Sequence, residues 1–204
     1  MTTFYLVRHG SNDFFSHTLV GRTPGIHLND TGKREANALA SGLAGESIQK
    51  ILTSPMERCR ETAAPLATKL QLPAEISNAL IEVDFGDWTG KKFADLDASS
   101  EEWRRWNSFR SGNRVPNGES MLEVQQRMIG LLLELHRAFR GQRIALFSHG
   151  DPLRAATVYF LGAPLEYIRR IELSPASVTI LQFGDWDAQF LCINTRFEQS
   201  PLLA

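Results

Sequence analysis

The run Phe4-Tyr5-Leu6-Val7-Arg8-His9-Gly10 starts as a strand and ends on chemistry. Residues 3–7 have the β-branched and aromatic character of a buried strand, and the run stops abruptly on a cation, an imidazole and a glycine. Residues 144–147 repeat the pattern: Ile-Ala-Leu-Phe is followed by Ser148-His149-Gly150-Asp151-Pro152 and then by a helix to residue 160. Between them, residues 48–53 read as another strand, ending at Ser54-Pro55-Met56-Glu57-Arg58. There Ser54 is the expected N-cap, Pro55 the first helical residue and Glu57 the returning carboxylate of a capping box. Strands alternating with helices predict an α/β fold, a three-layer sandwich with a mainly parallel sheet covered on both faces. Such sheets bind ligands outside the carboxyl ends of their strands, so the three polar strand ends are expected to share one edge.

The rest of the chain fills in around this frame. Asn29 or Thr31 caps a helix through Arg34, Ala36, Leu39 and Leu43, which Gly45 stops. Residues 74–82 read as a weaker strand that leads into the loop Asp84-Phe85-Gly86-Asp87-Trp88-Thr89-Gly90. Residues 91–117 are polar and irregular, apart from a capping box at Ser99-Ser100-Glu101-Glu102 that opens a short helix carrying Trp103, Trp106 and Phe109. Those three aromatics are expected to pack that helix onto the domain, with Arg104, Arg105, Arg110 and Arg114 forming a solvated face. Ser120-Met121-Leu122-Glu123 opens a longer helix, and residues 177–183 and 189–194 flank the turn Gly184-Asp185-Trp186-Asp187 as a hairpin. No repeat or linker divides the chain. Residues 1–204 therefore read as a single domain, with residues 91–119 as a flap-like insertion.

Charge bears on what that sheet edge binds. The 22 Lys and Arg against 23 Asp and Glu give a net charge of -1, so no global field attracts nucleic acid or an anionic membrane. Any anion site must be local. Cys59 and Cys192 lack Cys-x-x-Cys spacing, no basic leader is present, and no stretch approaches the ~18 apolar residues of a membrane span. The expectation is a cytoplasmic protein with no membrane partner, its oligomeric state left open. Metal is the competitor for paired histidines, but Arg8 beside His9 and Arg58 nearby would repel a cation. A phosphate fits two guanidinium groups and two helix N-termini better. Two histidines suggest transfer as well as binding, one as nucleophile and one, protonated, as donor to the phosphoryl group. Glu82 is the carboxylate best placed to act as the acid.

The ordered set Leu6-Val7-Arg8-His9-Gly10, Gly21-Arg22-Thr23-Pro24, Ser54-Pro55-Met56-Glu57-Arg58, Leu80-Ile81-Glu82, Gly118-Glu119-Ser120 and Ser148-His149-Gly150 resembles the histidine phosphatase superfamily, in its phosphoglycerate mutase-like branch. The resemblance implies a phosphoglycerate mutase-like fold, with His9 as the phosphorylated nucleophile and Arg8, Arg58 and His149 around the phosphoryl group. It makes Glu82 the proton donor and acceptor. Asn12 and Gly150 are further phosphate-binding candidates. Mutases of this family carry Glu then Ser or Thr after the first motif, with an Asn further on. Here Ser11, Asn12 and Asp13 follow, and Phe14 and Phe15 stand near that later position. The chain also lacks the basic, proline-rich insertion of the mutases. Hydrolysis is therefore expected: a metal-independent, histidine acid phosphatase-like phosphomonoesterase acting on a small phosphorylated substrate, with no cofactor. The alternatives are a mutase-type phosphotransferase and a non-catalytic phosphate-binding domain.

Overall fold

Alternation along the strands builds three layers. The computed structural model describes residues 1–14 and 17–197, so Phe15 and Ser16 lie outside the described residues. In β1 (Thr2–Arg8), Phe4 and Leu6 point to one face and Tyr5 and Val7 to the other, as period two requires. Phe4 and Leu6 join α5 (Met121–Ala138) and α6 (Gly150–Phe160) through Met128, Leu132 and Leu153. Tyr5 and Val7 meet α1 (Asp30–Leu43) and α2 (Glu57–Leu70) through Leu39, Leu43, Cys59 and Leu66. Both faces are thus covered, which is why β1 is buried along its whole length.

The sheet also contains β2 (Lys50–Thr53), β3 (Ala74–Ile76), β4 (Arg143–Ser148), β5 (Val178–Phe183) and β6 (Ala188–Thr195), in the order β3-β2-β4-β1-β5-β6. The first four strands of that order run parallel, and β5 and β6 form the antiparallel hairpin. Arg8 pairs with Ser148 and Thr53 with Phe147, so the carboxyl ends of β1, β4 and β2 finish level, side by side.

Local signals place most helix starts. Asn29 caps α1 by accepting from the Gly32 N–H at 2.9 Å, and Ser120 and Glu123 form the reciprocal capping box of α5. Three expectations change. α2 begins at Glu57 with Met56 as an N-cap that makes no side-chain bond, because Ser54 turns instead to His149 and Glu57 accepts from Gly25. The strand expected over residues 74–82 stops at Ile76, where a 3-10 turn, Asn78–Leu80, replaces it. The region 91–117 holds two helices, α3 (Phe93–Ser99) and α4 (Glu101–Ser108); Ser100 caps the second through the Trp103 N–H at 3.1 Å, without a box.

Two glycines separate packing from propensity. An added Cβ on Gly32 would stand 2.1 Å from the Ser11 carbonyl oxygen, whereas one on Gly130, at an exposed position of α5, meets nothing within 4 Å. Gly32→Ala should lower unfolding stability by about 1–3 kcal/mol, because the loop after β1 is forced off α1. Gly130→Ala should raise it by about 0.5–1 kcal/mol through helix propensity. Urea denaturation of the two variants checks both signs.

Candidate active site

The three strand ends deliver their side chains into one cavity of about 400 Å³, lined at its base by Arg8, His9, Asn12, Arg58, Glu82 and Gly150. His149 lies directly behind, fully buried, with its ring edge-on to that of His9 at 5.2 Å between centroids. The structure therefore brings together all seven residues singled out from the sequence.

Hydrogen bonds fix the tautomers. His9 Nδ1 lies 2.8 Å from the Gly10 carbonyl, which can only accept, so Nδ1 carries the proton and Nε2 keeps its lone pair. Burial first, then Arg58 and Arg8, hold this imidazole well below its ordinary pKa, and it stays neutral at pH 7. Gly10 must be glycine for a second reason: its Cβ would stand 2.9 Å from the Gly32 carbonyl oxygen. The Gly10 N–H donates to Thr62 Oγ1 at 3.0 Å, and Ser11 donates to buried Glu35 through its N–H at 2.7 Å and its hydroxyl at 2.9 Å. Thr62 and Glu35 thus hold the loop that follows His9 in place.

Arg58 is 1% exposed. Its Nη2 donates to the Gly21 carbonyl at 2.8 Å and toward His149 Nδ1 at 3.1 Å, while its Nε and Nη1 have no hydrogen-bond partner among the described residues. A buried guanidinium with unused donors beside a cavity calls for an anion there. Because arginine only donates, His149 Nδ1 must accept, which puts the His149 proton on Nε2, 2.8 Å from Ser54 Oγ. Burial, followed by Arg58, keeps this ring neutral, contrary to the expectation of a protonated one. Arg8 packs its guanidinium against Gly150, whose Cβ would reach Arg8 Cζ at 3.3 Å, and it donates to the Leu173 carbonyl. Burial and Arg154 lower Arg8 to about 10, so it remains a cation at neutral pH. Asn12 is buried at the cavity wall, with its Oδ1 accepting from the Phe14 N–H at 2.9 Å.

Glu82 reaches the site from irregular chain rather than from a strand end. Ser148 Oγ donates to the Leu80 carbonyl at 2.7 Å, Arg127 to the Ala79 carbonyl at 2.7 Å, and Arg22 to the Glu82 carbonyl at 2.9 Å. Glu119 closes the clamp, ion-paired with Arg22 at 2.8 Å and Arg127 at 3.3 Å. The Glu82 side chain is 14% exposed, with Oε2 3.6 Å from His149 Nδ1. Burial, then Asp151, pushes its carboxyl up to about 7, against the pull of Arg58. Cys59 is no rival nucleophile, since burial pushes its thiol up to about 12. Among the described residues, no group of three or more His, Cys, Asp or Glu side chains could hold a metal ion.

Sequence reading missed Asp151 and misplaced Arg110. Arg110 is buried, not solvated: it lies 3.5 Å from the Trp106 ring centroid and ion-pairs with Asp151 at 3.2 Å. Arg104, Arg105 and Arg114 are exposed as expected. Trp103 and Trp106 are buried against Trp88, while Phe109 is exposed.

The sequence profile of the histidine phosphatase superfamily (branch 1) matches residues 4–196. The chain belongs to that superfamily. Within it, the chain is 29% identical to phosphoserine phosphatase 1 of Hydrogenobacter thermophilus, over 91% of this chain and 88% of that one. It is 30% identical to a protein of Photorhabdus laumondii named a probable phosphoglycerate mutase, over 96% and 92%. The Bacillus stearothermophilus protein YhfR shares the superfamily fold with a TM-score of 0.90 at 23% identity, over 97% of this chain and 100% of that one. The α/β fold and its mainly parallel six-stranded sheet are therefore those expected. No helix among the described residues is long and apolar enough to cross a membrane.

The raised Glu82 carboxyl has a consequence for stability. The folded protein keeps a proton that the unfolded chain releases near its ordinary 4.5, so stability falls as pH rises from 4.5 and levels off above about 7. Glu82→Gln removes that ionisation. It should be close to wild type in stability at pH 4.5 and more stable by about 2–4 kcal/mol at pH 8, read by denaturant melts at both pH values.

Proposed function

We propose that this chain is a cytoplasmic, metal-independent phosphomonoesterase of one domain that works through a phosphohistidine. The observation carrying the proposal is the buried Arg58 with unused donors beside an imidazole whose Nε2 lone pair faces the cavity. In the first step His9 Nε2 bonds to phosphorus as the ester P–O bond breaks, and the departing alkoxide takes the proton of Glu82. In the second, water attacks phosphorus, its proton passes to Glu82, the P–N bond breaks and the lone pair returns to His9. Arg8, Arg58, Asn12 and the Gly150 backbone hold the equatorial oxygens. A dianionic phosphate beside His149 favours protonation of its Nδ1, which turns that ring into a donor. Glu82 near 7 is suited to both proton transfers at neutral pH. The two free cysteines fit a reducing compartment.

His9→Ala should abolish turnover and leave the fold intact, and rapid quench of the wild type with labelled substrate should trap an acid-labile, base-stable phosphoenzyme. Label on serine would overturn the assignment. For alkyl phosphates kcat/KM should fall above about pH 7, as Glu82 loses its proton. In single-turnover phosphorylation, Glu82→Gln should cost about 10²–10⁴ for an alkyl phosphate and much less for p-nitrophenyl phosphate, whose phenolate departs unaided. Equal losses for the two would move the acid elsewhere.

A further inference from the structure

The cavity is much larger than a phosphoryl group requires and falls within the roughly 300–1,000 Å³ range of clefts that hold whole organic ligands. Beyond its base, most of its apolar wall comes from two segments. Phe14, Leu19 and Val20 belong to the loop after β1, and Phe93, Trp103 and Trp106 to residues 91–119. The two are joined by backbone bonds, Leu19 N–H to the Lys91 carbonyl at 2.9 Å and Gly90 N–H to the Leu19 carbonyl at 2.8 Å. The aromatic wall is itself fixed, with Trp103 stacked on Trp106 at 5.5 Å and Phe93 tilted against Trp103 at 6.1 Å.

The charged part of the lining is balanced. Apart from Arg8, Arg58 and Glu82, it consists of Arg110, Arg154 and Arg169 against Asp97, Asp151 and Glu172. Arg110 is ion-paired with Asp151 and donates to Asn107 at 2.7 Å, with only its Nε lacking a partner among the described residues, and Arg154 is paired with Asp151 at 3.4 Å and Glu172 at 2.9 Å. Arg169 is exposed at the rim. A carboxylate on the leaving group would therefore meet cations whose charge Asp151 and Glu172 already match, against an aromatic wall that cannot solvate it.

We infer that this site selects phosphomonoesters of bulky, uncharged, apolar or aromatic alcohols over those of small acids carrying a second anionic group. The inference rests on the phosphomonoesterase reading for the position of the phosphoryl group. Three probes test it: 3-phenylpropyl phosphate, propyl phosphate and 3-phosphoglycerate. The first two have alcohols of matched acidity, so any difference between them is one of binding.

Calorimetry on His9→Ala should show 3-phenylpropyl phosphate binding about tenfold or more tighter than propyl phosphate, with 3-phosphoglycerate no tighter than propyl phosphate. Wild-type kcat/KM should follow the same order. Phe93→Ala should shrink the phenylpropyl-to-propyl ratio; Phe14→Ala, at a side chain 41% exposed, serves if the first variant does not fold. Equal affinities for the two alkyl esters, or tighter binding of 3-phosphoglycerate, would overturn the inference while leaving the phosphatase reading intact. The affinity gap without turnover of any ester would uphold the ligand class and sink the reaction.

Discussion

Burial of the Arg58 cation is the constraint around which this site is organised. A guanidinium removed from water is tolerated only where acceptors or counter-charge meet it. Here the Gly21 carbonyl and the His149 lone pair meet one nitrogen, and the other two stay unpartnered among the described residues on a side chain that lines the cavity. The same cation depresses both imidazoles and draws Glu82 down from where burial alone would hold it. Burial and this one charge together leave both imidazoles neutral and give a carboxyl that changes state near neutrality.

The carboxyl at Glu82 depends on Asp151 and on the arginines around both acids. Asp151 pushes it up, yet Asp151 is itself an anion because Arg110 and Arg154 outweigh the effect of its burial. Arg110 comes from the segment that also supplies the aromatic wall. The segment that walls the cavity therefore also bears on the protonation of Glu82.

The sequence was legible where chemistry interrupts a periodic pattern. Arg8, His9 and His149 stand out because apolar strands end on them, and the parallel register then places them level. Glu82 was singled out by its place after the expected strand, but only the family resemblance gave that choice weight: β3 is only three residues long, and the irregular chain that carries Glu82 is held by Ser148, Arg127 and Arg22, none of them near it in sequence. Arg110 was misread for a related reason. A long cationic side chain in a polar segment looks solvated until a tryptophan face and a distant aspartate are folded against it, and neither leaves a local signature. The missed cap at Ser54 has the same origin, since its hydroxyl turned to a histidine 95 residues away.

The strand order carries a consequence for biogenesis. β1, which leads into His9, and β2, which precedes the buried cation, are not neighbours in the sheet; each pairs with β4, which occupies the position between them. A growing chain that has not yet reached Ser148 holds the two halves of the site on strands with no common neighbour. Their long-range pairing defers loop closure until late, the kind of topology that folds slowly and exposes strand edges in the interval. Assembly of this cluster of residues and completion of the sheet's centre are accordingly one event, and a nascent chain would gather the cluster only when β4 slots into place.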